Sequence, residues 1–165
     1  MCGIFGCISD EAALHVLEGL RKLEYRGYDS SGLAAIFSDI DSPIETERTI
    51  GFVSDLVSKA NGRFDGAQIS IGHTRWATHG GVTDYNAHPH SSADGTISVV
   101  HNGIIENATQ LSSRVSKLGY KMSSDTDTEV IVHLLDYELK TQADGRTHLD
   151  AFATVISQLE GSWAI

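Results

Sequence analysis

The sequence predicts one domain built of both strands and helices, and three observations carry that reading. Its 165 residues, 41% of them hydrophobic, are enough to bury one core but short for two. Apolar, β-branched runs bounded by glycine recur along the chain, and segments with leucine or valine at helical spacing alternate with them and follow them. No internal repeat, low-complexity stretch or interdomain linker interrupts the pattern.

Residues 2–8 read as a buried strand whose Gly3 and Gly6 let a neighbour approach the backbone closely. A helix follows, capped by Ser9 or Asp10, with Leu14, Leu17, Leu20 and Leu23 at helical spacing and Gly27 as its stop. Residues 32–37 are a second strand, 40–47 with Pro43 a loop, and 53–60 a short helix ended by Asn61-Gly62. Strands at 68–73 and 96–101 then frame a loop of about twenty residues, and a loop that long inside a compact domain usually carries function. This one holds Arg75, Trp76, His79, His88 and His90. Three helices come next. The first, 106–117, has Leu111, Val115 and Leu118 on one side and Gly119 as its stop. The second, 127–140, has Thr126 and Glu129 in capping-box spacing and Val130, Ile131, Leu134 and Leu135 inward. The third spans 149–159, and residues 162–165 open a further strand.

Twelve Lys and Arg against 22 Asp and Glu give a formal charge of -10, which leaves no cation excess for nucleic-acid phosphates or an anionic membrane surface. Neither is expected as a partner. No run reaches the roughly 18 apolar residues of a membrane helix, and the first residues lack the charged flank and apolar stretch of a signal peptide. A cytoplasmic protein is expected. Two cysteines make no disulfide framework, and within one strand Cys2 and Cys7 point to opposite faces, which also argues against a shared metal.

Cys2 directly follows the initiator Met. Met removal would put a free α-amine and a thiol on one residue, with ordinary pKa values of about 7.7–8.0 and 8.5, so the amine can take the thiol proton and later return it to a leaving group. Asn102 and Gly103 offer a side-chain amide and an unobstructed main-chain N–H, two donors suited to an oxyanion hole. The competing reading is a plain Asn-Gly turn. Arg75, leaving a strand for the long loop, has the planar fork to hold a carboxylate, and Asp127 at a helix start can accept an ammonium. As a pair they would read the α-carbon of an amino acid; singly, each is an ordinary surface or first-turn charge. His73, His79, His88, His90 and His101 invite a zinc hypothesis, but their spacing matches no metal motif and no metal is expected. Phosphate-loop and Gly-x-Gly-x-x-Gly signatures are missing.

Taken in order, Met-Cys-Gly-Ile-Phe-Gly at 1–6, Leu-Glu-Tyr-Arg-Gly-Tyr-Asp-Ser at 23–30, His-Thr-Arg-Trp-Ala-Thr-His-Gly at 73–80, Asn-Ala-His-Pro-His at 86–90, His-Asn-Gly-Ile-Ile-Glu-Asn at 101–107 and Ser-Asp-Thr-Asp-Thr-Glu at 124–129 resemble the class II glutamine amidotransferases. Within them the blocks are most similar to the glutaminase domain of the branch that aminates fructose 6-phosphate. The resemblance covers the whole chain. It implies the α+β class and a four-layer αββα N-terminal-nucleophile (Ntn) hydrolase fold, two antiparallel sheets packed between helices.

The resemblance also implies roles. Cys2 would be the nucleophile toward the glutamine amide, its own α-amine the base, and Asn102 with the N–H of Gly103 the oxyanion hole. Arg75 would bind the substrate α-carboxylate and Asp127 its α-ammonium, with Trp76, Thr78 and His79 lining the pocket. Arg26 and His88 match residues of loops that order around the site. No cofactor is required. Family members continue past the position of Ile165 into sugar-isomerising domains, so residues 1–165 are expected to be a glutaminase domain truncated at its C-terminal side, limited to glutamine hydrolysis and prone to weak stability or self-association as a homo-oligomer. The rival from another class is a non-catalytic domain of the same fold that binds glutamine or serves as structure.

Overall fold

The computed structural model describes residues 2–39, 42–78, 80–141 and 146–165. Met1 and His79, both singled out above, lie outside them.

The first half of the chain builds a four-stranded antiparallel sheet with two helices on one face. β1 (Gly3–Ile8) pairs with β4 (Ile69–Arg75), β4 with β2 (Ser30–Ile36), and β2 with the edge strand β3 (Glu45–Ile50). α1 (Ala12–Leu23) and α2 (Val53–Ala60) cover the sheet, enclosing Val16, Leu20, Leu33, Val53, Leu56 and Phe64. Ser30 to Ala35 are all buried, because this central strand is covered on both faces, and that removes the polar alternation of a half-exposed strand.

Two differences from the sequence reading stand out here. Residues 45–47, expected in a loop, open β3, whose polar alternation has a purpose on each face. Glu47 reaches Lys59 at 3.2 Å and Arg63 at 2.7 Å, while Arg48 donates to the carbonyl of Ala87 at 3.3 Å on the other side. Charged residues also suit an edge that must not recruit another strand. In α1 the inward stripe is Ala12, Ala13, Val16 and Leu20, and Leu14 is half exposed; no side chain caps the helix, whose Ala12 N–H instead donates to the carbonyl of Ala67 at 2.9 Å. Of the two glycines in β1, Gly3 is the one under constraint: a Cβ there would stand 2.7 Å from that of Leu23, whereas at Gly6 the nearest atom is 3.7 Å away.

The second half supplies the other two layers. Of the expected strand at 96–101 only β6 (Ser98–Val99) forms, paired with β5 (His90–Ser91), and a separate β7 (Asn102–Ile105) pairs with β8 (Gly161–Ala164). The long loop is therefore not structureless, since it carries β5. α3 (Ala108–Lys117), α4 (Glu129–Thr141) and α5 (His148–Ile156) close the far side, with α4 packed between the other two and against β5 and β6. Val99, Ile105, Leu111, Val115, Ile131, Leu134 and Val155 form this second core. The order from outside to outside is helices, sheet, sheets, helices. α5 opens on a closed capping box, Asp150 N–H to the Thr147 hydroxyl at 3.2 Å and Thr147 N–H to the Asp150 carboxylate at 2.7 Å. No helix among the described residues is long and apolar enough to cross a membrane.

Candidate active site

The site lies where the beginning of β1, the end of β4 and the beginning of β7 meet. Antiparallel pairing of β1 with β4 sets Gly3 opposite Thr74, and this brings Cys2 alongside Trp76. The Trp76 N–H donates to the Cys2 Sγ at 3.3 Å. Cys2 is partly exposed, so the sulfur is reachable. The Cys2 carbonyl accepts from Nδ2 of Asn102 at 3.2 Å and from Nε of Arg26 at 3.3 Å. Arg26 projects from a single 3₁₀ turn, Glu24–Arg26, that extends α1.

Gly103 follows Asn102 at φ +135°, and a Cβ there would sit 2.3 Å from the Ser162 carbonyl oxygen. Only glycine lets β8 approach β7 this closely. The pairing thus sets the course of the backbone that follows the Asn102 amide.

Arg75 is buried at the end of β4, and its guanidinium donates to the carbonyls of Gly81 at 3.1 Å and Gly80 at 3.5 Å. Asp127 precedes α4; one carboxylate oxygen accepts from the Ile105 N–H at 2.9 Å, and the other is 4.0 Å from Nδ1 of His101. Cys2, Arg75, Trp76, Thr78, Gly103 and Asp127 all line one inner cavity of about 20 Å³, room for a single water. Beside it lies an open cleft of about 550 Å³, shared by Cys2, Trp76, Thr78 and Gly103 and walled further by Arg26, Asn102 and Trp163. Those four residues line both spaces.

The expected capping box at Thr126 and Glu129 does not form. The Glu129 carboxylate instead accepts from the main-chain N–H groups of Ser123 at 2.8 Å and Ser124 at 2.7 Å, and from both their hydroxyls. The Thr126 hydroxyl bonds Nε2 of His90 at 2.9 Å. Burial alone would raise the Glu129 pKa, but the bonds from His133, Ser123 and Ser124 outweigh it and hold the carboxyl below its ordinary range. This anchors the 123–128 turn that presents Asp127.

Behind the cavity is a layer of buried histidines that the sequence raised as metal ligands and, for His88, as part of a loop ordering around the site. His88 is buried; it stacks on His73 with ring centroids 4.1 Å apart and meets His90 edge-on at 4.9 Å. Its Nδ1 accepts from the His101 N–H at 3.2 Å, so its hydrogen is on Nε2, facing the Thr128 hydroxyl at 3.3 Å. That hydroxyl in turn faces Nδ1 of His101 at 2.8 Å. Burial pushes His73 down to about 3 and His90 down to about 4, and holds His88 well below its ordinary value, so these rings are neutral packing elements near neutral pH. Among the described residues no group of three or more His, Cys, Asp or Glu is placed to hold a metal ion. The missed signal was spacing: His73 and Arg75 are two apart on β4 and share its cavity-facing side.

Residues 73–165 match the model of a known family, the glutamine amidotransferase domain. The chain belongs to that family. Similarity to curated proteins extends over the whole chain. The chain is 51% identical over 166 residues to the glutamine–fructose-6-phosphate aminotransferase [isomerizing] of Clostridium tetani, and 46% identical over 166 residues to that of Pyrococcus horikoshii. Each alignment covers 100% of this chain and 26% or 27% of the relative, so the chain spans about a quarter of the length of the curated relatives it matches. Among solved structures, the glutamine phosphoribosylpyrophosphate amidotransferase of B. subtilis superposes with a TM-score of 0.81 at 26% identity, covering 99% of this chain and 34% of that one. A second, titled the allosteric regulatory enzyme of purine biosynthesis, gives 0.82 at 27% identity with the same coverage. The amidotransferase domain has the Ntn-hydrolase fold.

Proposed function

We propose that the chain is a glutaminase that cleaves the side-chain amide of glutamine to glutamate and ammonia through a γ-glutamyl thioester on Cys2. The observation that carries this is the meeting at Cys2 of a reachable thiol, the Asn102 amide bonded to the Cys2 carbonyl, and a cavity lined by Arg75 and Asp127.

The steps balance without a cofactor. The α-amine of Cys2, freed by loss of Met1, takes the thiol proton, and the sulfur attacks the amide carbon. Charge gathers on the former carbonyl oxygen, opposite Nδ2 of Asn102 and the N–H of Gly103. An amide nitrogen has two hydrogens, so Nδ2 can keep its bond to the Cys2 carbonyl and still donate a second. The carbon–nitrogen bond breaks as the ammonium of Cys2 returns its proton, and ammonia leaves. Water, deprotonated by the same amine, attacks the thioester and restores the thiol. Arg75 pairs with the α-carboxylate and Asp127 with the α-ammonium, while Trp76 and Thr78 wall the pocket. Arg26, bonded to the Cys2 carbonyl, and His88, inside the wall, hold the frame.

The longer reading is that residues 1–165 are the glutaminase domain of an enzyme whose further, sugar-isomerising domains pass the ammonia to fructose 6-phosphate, as the names of the relatives suggest. A cytoplasmic enzyme fits these substrates. Labelling with an electrophilic glutamine analogue tests the core of the proposal: adduct confined to Cys2, lost in Cys2→Ala together with glutamate release, is expected. Glutamate release at the parent rate by Cys2→Ala would end it.

A further inference from the structure

The orientation of the Asn102 amide follows from a residue outside the set assigned above. His73 is buried on β4 and pressed against His88 with ring planes 19° apart. Its Nε2 stands 3.1 Å from the His101 carbonyl oxygen and 2.9 Å from the Asn102 side chain. A main-chain carbonyl only accepts, so Nε2 carries the ring hydrogen. An N–H there requires the facing atom of Asn102 to be oxygen, and Nδ2 then points the other way, to the Cys2 carbonyl. Burial favours the neutral ring, which keeps this tautomer across physiological pH.

We infer that His73 is a positioning residue for glutamine hydrolysis: by donating to Oδ1 it locks the Asn102 amide with its NH₂ toward the reacting centre. The inference rests on the reading of Asn102 as an oxyanion donor. Without His73 the amide can turn over about its last torsion, presenting a carbonyl oxygen to a developing negative charge. That repels the transition state while leaving the contacts to the α-carbon groups of glutamine intact. The loss therefore falls on kcat and spares KM.

Hydrolysis kinetics of a small series test it. His73→Gln keeps an N–H near the position of Nε2, whereas His73→Leu has none and the shorter amide of His73→Asn stops short of Asn102. We expect Asn102→Ala to lower kcat by about 10²–10³-fold, as for loss of one oxyanion donor, and His73→Leu and His73→Asn to lower it by at least about tenfold with KM little changed. His73→Gln should recover most of the rate. The double variant His73→Leu with Asn102→Ala should be no slower than Asn102→Ala alone, since both remove the same interaction. Multiplying losses, or parent kcat in His73→Asn, would overturn the inference, whereas parent kcat in Asn102→Ala would instead overturn the oxyanion reading. A readout independent of variant folding is the ¹⁵N spectrum of the His73 ring in the parent: a protonated Nε2 and bare Nδ1 are expected, and the opposite tautomer refutes the assignment.

Discussion

Acidification should destabilise this domain before its ordinary carboxylates are protonated, and the histidine layer sets the size of the effect. In the unfolded chain an imidazole titrates near its ordinary value of about 6.5. In the folded chain burial pushes His73 down to about 3 and His90 down to about 4. Between those limits the unfolded state binds more protons than the native one, so stability is full above about pH 6.5 and is lost as pH falls toward the folded values. At pH 5 each ring lies about 1.5 units below its unfolded pKa while still neutral when folded, which costs roughly 2 kcal/mol apiece. The pair costs about 4 kcal/mol, out of a total of about 5–15 for a typical domain. His88, held low by burial and by its histidine neighbours, adds with the same sign. Urea titrations at pH 8 and pH 5 measure this directly; at about 2 kcal/mol per molar the midpoint should fall by roughly 2 M. Midpoints that agree between the two pH values, or folded-state imidazole resonances that titrate near 6.5, would refute the reasoning.

Other expectations follow from single contacts. Leu20→Ala should cost about 2–5 kcal/mol and Leu14→Ala under about 0.5, because the first is fully buried and the second half exposed; thermal melts distinguish them. Gly103→Ala combines a φ of +135° with a Cβ 2.3 Å from the Ser162 carbonyl oxygen, and should cost about 3 kcal/mol and most of the glutaminase rate. Asp127→Asn keeps an acceptor for the Ile105 N–H but removes the charge, so the melting temperature should hold while KM for glutamine rises on the order of tenfold or more. An equal KM in that variant would take the ammonium contact away from Asp127.

Much of the chain was legible because local pattern and tertiary need coincide. α2 ends at Asn61-Gly62 as the dipeptide suggests, with Asn61 in the left-handed region at φ 43°. Where they diverge, packing decides. Leucine spacing placed Leu20 inward as it is but misplaced Leu14, because the face that meets the sheet runs through Ala13 and Val16. β3 was hidden by its charges, whose partners, Lys59 on α2 and Arg63 just past it, lie beyond any local window. Glu129 was read as a cap for its own helix, while its carboxylate serves the preceding serine turn. Within the site, Cys2, Arg75, Asn102, Gly103 and Asp127 were visible from their chemistry and motif order. His73 was not, since its importance lies in which acceptors meet one ring nitrogen, a matter of three strands meeting.

The pairing of Gly103 with Trp163 across β7 and β8 has a bearing on synthesis. β7 is made well before β8, and the helices α3, α4 and α5 are made between them. On the proposed reading, Asn102 and Gly103 gain their bracing strand only when the last of the described strands has been made. Completion of the site would then wait on the most distant pairing in the second half of the chain.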